Sequence, residues 1–259
     1  ITLGIPRPAC YLFLYLLGFY ILLCSLKVDI RISVIGAIAF AFSSYFFIIL
    51  EAGHMTKAHA IAYVPMVIAS VLYTYRGKIL LGGILTSLTV ALEIYANHLQ
   101  ITYYLVLILV LIGMVHFYKA LKENDLVDFF KRSGVLILAA LLASGTSFTN
   151  LATTLEYGKE STRGQSELTS NLDNKTAGLD KDYATSWSYG IAETFTLLIP
   201  NFYGGASQGS LTTNSETYRA IKRSPNARNL IKKLPLYWGD RPFTSGPTYV
   251  GSIVIFLFV

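Results

Sequence analysis

Two short polar clusters interrupt a largely apolar sequence, and their residue types could bind an anion and move a proton. The first cluster combines a carboxylate, a fixed cation and two imidazoles: Glu51, His54, Lys57 and His59. A lysine can hold an anionic ligand, and a histidine or glutamate can transfer a proton near neutral pH. Because Glu51 and His54 are three residues apart, they share a face if the preceding helix continues that far. Headgroup contact by an ordinary loop is the alternative.

The second polar cluster lies where a later apolar stretch ends and consists of Glu93, Asn97, His98 and Gln100. A carboxylate buried there must find a partner or become protonated. We predict that both Glu51 and Glu93 are buried and paired. The predicted partners of Glu93 are the basic groups of the first cluster: His54, Lys57 and His59. An ion pair that only locks helix packing is the alternative for this cluster.

A third polar group follows residue 151 and consists of Glu156, Lys159, Glu160 and Arg163. Spacings of three and four residues place these side chains on one face if the preceding helix continues through them. They are interpreted either as additional groups for the anion site or as a solvated helix end with internal salt bridges.

Metal binding is weakly indicated by these residues. Glu51 and His54 match the Glu-x-x-His spacing of di-iron bundles, but such sites need two of these motifs, and the sequence has one. The histidines are poorly spaced for a zinc ligand set. The sequence therefore predicts no metal and no other cofactor, with a divalent metal ion as the alternative.

Six apolar stretches must position the polar clusters: Cys10–Leu26, Ile32–Leu50, Ala60–Tyr75, Ile79–Tyr95, Ile101–Tyr118 and Gly134–Leu151. Each is close to the roughly 17–25 residues with which a helix crosses about 30 Å of hydrocarbon. Of the 259 residues, 53% are apolar and 14% charged, whereas about a quarter of a soluble domain is charged. The sequence predicts an all-α integral membrane protein, a polytopic helical bundle.

Basic residues alternate from loop to loop. They follow the first, third and fifth stretches, as Lys27, Arg31, Arg76, Lys78, Lys119, Lys122, Lys131 and Arg132. The loops after the second and fourth stretches contain one basic residue, Lys57. Because basic loops remain in the cytoplasm, the polar clusters are predicted on the outer face. The net charge of +6 is thus distributed over membrane loops and does not indicate a nucleic-acid partner.

Three regions follow from this pattern. Residues 1–151 are predicted to form the transmembrane bundle of about six spans, with Gly82 and Gly83 as sites of close helix packing. Residues 152–247 are predicted to form an external, partly helical loop region, with interfacial helices over 183–199 and over 215–234, the latter interrupted at Pro225. The linker 119–132 is predicted to be a short surface helix. Residues 248–259 are interpreted as the start of a further, truncated span, and the chain as an internal piece of a longer protein.

Five motifs resemble those of the YfhO family of bacterial polytopic membrane proteins, Bacteroidetes type. They are residues 51–59, 97–104, 156–163, 183–190 and 198–205. That family resembles the GT-C glycosyltransferases. The resemblance implies a GT-C-like bundle in the bacterial cytoplasmic (inner) membrane, with an outward-facing active site and a polyprenyl-phosphate sugar donor. It also implies a cell-envelope glycan or polymer as acceptor, and a main catalytic acid in a loop preceding Ile1.

The resulting hypothesis is sugar transfer on the outer face of the membrane. Inverting transfer needs a general base at the acceptor hydroxyl and cations at the leaving phosphate. The candidate catalytic residues are Glu51, His54, Glu93 and His98. The candidate donor-phosphate ligands are Lys57, His59, Lys159 and Arg163. Two other functions stay open: a transporter or lipid flippase, which usually binds substrate near the bilayer midplane, and a non-catalytic assembly protein.

Overall fold

The computed structural model of the chain describes residues 4–159 and 181–259. Within these ranges the regular structure is helical, apart from two isolated antiparallel β-bridges. The α-helices are α1 Ala9–Ser25, α2 Ile30–Ala41, α3 Ser44–Glu51, α4 Met55–Tyr75, α5 Ile79–Tyr95, α6 Leu99–Glu123, α7 Leu126–Thr146, α8 Phe148–Lys159, α9 Lys181–Thr185, α10 Glu216–Ile221, α11 Ala227–Leu230 and α12 Ser252–Phe258. A 3-10 helix covers Ala192–Leu197.

The chain divides into two compact units. The first unit consists of Ile1–Phe42 and Gly53–Leu155, and the second of Ser43–Ala52 and Glu156–Val259. The helices of the first unit are long, whereas those of the second unit are short and separated by irregular segments.

Fewer helices are candidates for membrane spans than the sequence predicted. Among the described residues, three helices are long and apolar enough to cross a bilayer: Ile30–Glu51, Met55–Tyr75 and Leu99–Glu123. A fourth is added if the pair Leu126–Thr146 and Phe148–Gly158, bent by 78°, forms one span. Helices α1 and α5 are apolar but have only 17 residues each. The regular structure of the described residues is therefore helical, with three to four candidate spans.

One predicted span is interrupted without a sharp bend, and another is sharply bent. The stretch Ile32–Leu50 is divided between α2 and α3, and Ser43 has an extended backbone at the start of α3. Helix α3 ends at Glu51, and Gly53 then adopts a positive φ of 78°, a conformation that glycine permits at little cost. The prediction that Glu51 and His54 share one helical face is therefore wrong. The stretch Gly134–Leu151 is likewise broken, at Ser147 between α7 and α8.

The linker 119–132 is not the separate surface helix that its sequence predicted. Helix α6 continues to Glu123, and α7 begins at Leu126. Asn124 makes the turn between them with a positive φ of 59°, which asparagine tolerates better than most residues. The charged residues of the linker consequently extend the ends of two long helices.

Helix α4 is the centre of the first unit. It packs against α1 and α5. In its most apolar 18-residue segment 50% of the residues are buried, whereas the corresponding share in α6 is 11%. Small side chains permit this close packing: Ala58, Ala60 and Ala62 are fully buried. The main apolar core joins α4 to α5, α6 and α7 and consists of Val67, Val71, Tyr75, Val90, Ile94, Leu105 and Ala143.

Gly82 is required for the contact between α4 and α5, as its sequence context predicted. A Cβ atom at this position would lie 2.3 Å from Thr74 Oγ1 and 2.8 Å from the Thr74 backbone nitrogen. Overpacking of this kind costs about 1–3 kcal/mol. Gly82→Ala should therefore lower the thermal unfolding temperature in detergent. Gly134→Ala in α7 is the matched control, because a Cβ atom there meets nothing within 4 Å. An equal unfolding temperature for the two variants would contradict the close contact at Gly82.

The second unit is held together by loop contacts. Ser44 Oγ donates a hydrogen bond to the Tyr249 carbonyl at 2.7 Å and accepts one from the Tyr249 nitrogen at 2.9 Å. The two β-bridges pair Gly204 with Tyr237 and Gly209 with Leu234. The helix predicted over 183–199 is replaced by α9 and the 3-10 helix, whereas the interruption of 215–234 at Pro225 is confirmed by the gap between α10 and α11.

Candidate functional site

A polar cavity of about 390 Å³ lies in the first unit, among α1, the start of α4 and the turn after α5. We call it the His59 cavity. Its polar lining consists of Arg7, Cys10, Tyr11, Thr56, His59, Tyr95, Asn97 and Asn150. One permanent cation, one imidazole and two carboxamides thus meet in one space. Such a group can bind a phosphate, hydrogen-bond to a polyol and transfer a proton.

The imidazole of His59 is oriented by aromatic neighbours. Its ring centroid lies 5.4 Å from that of Tyr11 and 5.2 Å from that of Tyr63, and its Nε2 is 3.3 Å from the Tyr63 hydroxyl. In the tautomer with the proton on Nε2, His59 donates to this hydroxyl, and its Nδ1 keeps a lone pair that can accept a proton. Tyr15 fixes the same turn of α4 by donating to the Ala58 carbonyl at 2.8 Å.

The sequence analysis began the third apolar stretch at Ala60 and so left Lys57 and His59 in the loop before it, and this prediction is wrong. Helix α4 begins at Met55, so both residues lie in its first turns. His59 is directed into the cavity because the neighbouring positions Ala58 and Ala60 are fully buried against other helices. The half-buried Lys57 lies on α4 but is not part of the cavity lining.

Arg7 contributes the permanent charge of the His59 cavity, and the sequence analysis did not identify it. The residue lies between two prolines just before α1, outside any polar cluster. A signal was present, however. In the predicted six-span topology, the segment before the first apolar stretch lies on the same side as residues 51–59. This topology therefore allowed Arg7 to lie in the same site as His59.

Asn97 reaches the cavity through the tight turn between α5 and α6. Its φ of 56° is positive, and asparagine is one of the few residues that adopt this conformation readily. Of the second polar cluster, Asn97 lines the cavity, whereas Glu93, His98 and Gln100 are not among its lining residues. His98 is the half-buried residue that precedes α6.

Glu93 is fully buried between α5 and α6, as predicted, but its partner is not a cation. The Thr102 hydroxyl lies 3.1 Å from both carboxylate oxygens and donates to them. None of the ion pairs among the described residues includes Glu93. The predicted pairing with His54, Lys57 or His59 is therefore wrong. The α5–α6 turn places the Thr102 hydroxyl beside the Glu93 carboxylate, where the sequence had predicted a cation.

Removal of the Glu93 carboxylate should destabilise the first unit. In Glu93→Ala the Thr102 hydroxyl loses its acceptor and a cavity remains, and an unsatisfied buried polar group costs about 1–3 kcal/mol. Thermal unfolding in detergent should therefore begin at a lower temperature. The control is Glu123→Ala, because Glu123 forms only an exposed ion pair with Lys119 at 3.9 Å. Equal stability of the two variants would contradict a structural role for Glu93.

Of the remaining predicted site residues, Glu51 and His54 do not line the His59 cavity. Glu51 ends α3, belongs to the second compact unit and is exposed, so its predicted burial is wrong. His54 is exposed immediately before α4. Lys159 ends α8, and Arg163 lies outside the described residues. The residues that the structure describes form no group of three or more potential metal ligands. This does not test the prediction of no metal, which stays a prediction.

The second unit contains a buried ion pair that the sequence analysis missed. Glu193 is 1% exposed, and its Oε1 accepts from Arg241 Nη2 at 2.7 Å, Arg241 Nε at 3.0 Å and the Tyr237 hydroxyl at 2.8 Å. The guanidinium also lies 4.3 Å from the ring centroid of Tyr189. Burial alone lowers the pKa of Arg241, but the Tyr237 hydrogen bond and the Glu193 charge outweigh it and raise the pKa. The cluster joins segments that are 48 residues apart, so no local pattern predicted it.

The chain matches no protein family model, no curated protein and no solved structure. Its function is therefore inferred from the geometry of the His59 cavity and from the apolar surfaces around it.

Proposed function

We propose that this chain is a membrane glycosyltransferase of the GT-C-like type. It transfers a sugar from a polyprenyl-phosphate donor to a hydroxyl of a cell-envelope glycan or polymer, on the outer face of the bacterial cytoplasmic membrane. The observation that carries the proposal is the meeting of Arg7 and His59 in one cavity at the ends of apolar helices. A cavity at the ends of membrane helices can hold a lipid-linked phosphate while the isoprenoid tail of the lipid stays in the bilayer.

Each polar group of the cavity has a role in such a transfer. His59 accepts the proton of the acceptor hydroxyl, whose oxygen forms a bond to the anomeric carbon of the sugar. The bond from that carbon to the phosphate oxygen breaks, and the electron pair leaves with the polyprenyl phosphate. Arg7 stabilises the phosphate charge through charge-assisted hydrogen bonds. The carboxamides of Asn97 and Asn150 can bind sugar hydroxyls.

An apolar groove between α5 and α7 supports a lipid-linked donor. Its volume is about 780 Å³, and it is lined by Leu80, Ile84, Leu88, Ala91, Leu138 and Leu142 among others. The groove extends to Ala91, about one turn before the cavity residue Tyr95 on the same helix. On the other side it extends to Thr146, the last residue of α7, and the cavity residue Asn150 follows in α8. An isoprenoid chain in this groove has its phosphate end close to the cavity.

Lipid transport is the second candidate, and the same groove favours it. The groove runs from Ile79 to Ala91, over most of α5, as a path between the two leaflets requires. Against transport, the buried polar groups in the middle of α4 and α5 are hydroxyls, such as Ser70 and Thr86. A path for a charged headgroup usually has ionisable or broken-helix groups near the midplane.

The two functions are separated by the products. The purified full-length protein is mixed with a polyprenyl-phosphate-linked sugar and envelope glycan as acceptor. Glycosyl transfer yields sugar-modified acceptor and free polyprenyl phosphate in equal amounts. Movement of intact donor between the leaflets of liposomes, without release of polyprenyl phosphate, would instead establish transport and refute the enzyme.

The proposed position of the cavity on the outer face is supported by the alternation of the basic loops and has its own test. Cysteines are introduced at Thr56 or Asn97, which line the cavity, in a variant whose Cys10 and Cys24 are replaced by alanine. In intact cells with a permeabilised outer membrane, both should react with an impermeant thiol reagent. A cysteine at Asn124, in the basic α6–α7 turn, should not. Labelling at Asn124 alone would place the cavity in the cytoplasm.

A further inference from the structure

A second polar cavity lies at the opposite ends of the same helices. Its volume is about 730 Å³, and its walls come from the end of α1, the α4–α5 turn, the end of α6 and the start of α7. The proposed glycosyl transfer does not use it. Its basic lining consists of Lys27, Arg76, Lys78, His116, Lys119 and Arg132. We call it the Arg132 cavity.

The positive charge of the Arg132 cavity is only partly balanced. Two carboxylates, Glu123 and Asp125, also line it. Glu123 pairs with Lys119, and Asp128 pairs with Arg132. In the described part of the chain, Lys27, Arg76 and Lys78 are in none of the ion pairs. The cavity thus keeps an excess of cations and favours an anionic occupant.

Arg132 is held in place. One of its terminal nitrogens donates to the Tyr75 carbonyl, and the other pairs with Asp128. Its third nitrogen, Nε, is buried and has no hydrogen-bond partner among the described residues. The Tyr75 ring stacks on His116 at 4.2 Å and on Phe129 at 6.0 Å, and the Tyr75 hydroxyl is 3.1 Å from Ser133 Oγ. The guanidinium is therefore fixed at the wall of the cavity, where it adds to the positive charge of the lining.

Aromatic side chains beside the cavity indicate what carries this phosphate. Phe129 contacts Phe117 at 5.3 Å and Phe130 at 5.3 Å, measured between ring centroids. Phe117 and Phe130 are exposed, as is Leu121 on α6. Exposed aromatic residues next to basic residues are typical of the membrane interface, where headgroups and acyl chains meet. A free phosphate ion gains nothing from these apolar side chains.

We infer that the Arg132 cavity is a binding site for the headgroup phosphate of an anionic phospholipid, whose acyl chains lie against Phe117, Leu121 and Phe130. The site is independent of sugar transfer, since no residue of the His59 cavity contributes to it. It lies at the end of the bundle where the basic loops predict the cytoplasmic leaflet. Basic pockets between helices on that side are suited to lipid headgroups.

The test is equilibrium binding of short-chain lipids to the full-length protein in a neutral detergent, by isothermal titration calorimetry. Dioctanoyl phosphatidylglycerol should bind more tightly than dioctanoyl phosphatidylcholine, and less tightly as salt is raised. Each basic residue near a headgroup contributes about fivefold in affinity. The double variant Arg76→Gln with Lys78→Gln should therefore bind phosphatidylglycerol roughly twentyfold more weakly. Lys78→Arg alone should bind like the parent protein.

The matched control is Lys122→Gln, an exposed residue of α6 outside the cavity, which should leave binding unchanged. Equal loss of binding in Lys122→Gln and the double variant would show that the lipid binds through general surface charge and not in the Arg132 cavity. Equal affinity for phosphatidylcholine would also overturn the proposal. Inorganic phosphate is titrated as a third ligand. If it binds as tightly as phosphatidylglycerol and with the same dependence on Arg76 and Lys78, the ligand is a free phosphate and the lipid assignment is wrong.

Discussion

Arg7→Gln and His59→Gln should each lower sugar transfer from a polyprenyl-phosphate donor by roughly ten- to a thousandfold. In the proposed reaction, Arg7 stabilises the negative charge of the leaving phosphate, and His59 accepts the proton of the attacking hydroxyl. Both interactions strengthen as the transition state forms, so kcat should fall more than KM rises. The measurement is initial-rate kinetics of the purified variants, together with a thermal unfolding curve to show that the fold is intact.

Arg31→Gln is the control for this series. Arg31 is an exposed residue in the first turn of α2 and does not line the His59 cavity, so its rate should equal that of the parent protein. The sequence-based prediction that Lys57 and Arg163 bind the donor phosphate is tested in the same assay with Lys57→Met and Arg163→Gln. Parent-like rates in Arg7→Gln and His59→Gln would exclude the His59 cavity as the active site.

Arg241→Met should destabilise the second unit more than any other single change considered above. The substitution leaves the Glu193 carboxylate buried without its cation, and a stranded buried charge typically costs about 3–5 kcal/mol. The side chains of Arg241 and Glu193 are only 10% and 2% exposed, so solvent cannot screen the loss. Thermal unfolding should shift to a clearly lower temperature.

An exposed pair of the same chemistry provides the comparison. Arg219 and Glu216 form an ion pair with side chains that are 62% and 84% exposed, and such pairs contribute about 0–1 kcal/mol. Arg219→Met should therefore change stability little. Adding Glu193→Gln to Arg241→Met should recover part of the loss, because the stranded charge is removed. If Arg241→Met and Arg219→Met unfold at the same temperature, Glu193 is solvated in the native protein.

The sequence predicted the presence of the helices well and their ends poorly. Apolar length indicates that a segment is helical and buried in lipid or protein, and this was sufficient for α4, α5 and α6. The break at Ser43 and the 78° bend after Thr146 were not predicted, because hydropathy averages over a window and does not register one turn of altered backbone. Gly82 and Pro225 were interpreted correctly, since Gly82 acts through the absence of a side chain and Pro225 through its own backbone.

The candidate site was predicted only in part, for a different physical reason. His59 and Asn97 lie in predicted polar clusters and line the cavity. Arg7 lies far from both in sequence, and the fold brings it to them. Glu93 was correctly predicted to be buried, but the choice between Lys57 and Thr102 as its partner depends on helix rotation, which charge alone does not specify. The Glu193–Arg241 pair likewise depends on contacts between distant segments.

The central claim, that the His59 cavity holds the donor phosphate, is tested most directly by photo-crosslinking. A polyprenyl phosphate with a diazirine next to its phosphate group is bound to the full-length protein, irradiated and mapped by peptide mass spectrometry. Our account predicts labelled peptides from the start of α1 and the first turns of α4, around Arg7–Leu14 and Met55–Tyr63, and reduced labelling in Arg7→Gln. Labelling confined to the α6–α7 turn, or labelling at α1 and α4 that Arg7→Gln leaves unchanged, would contradict it.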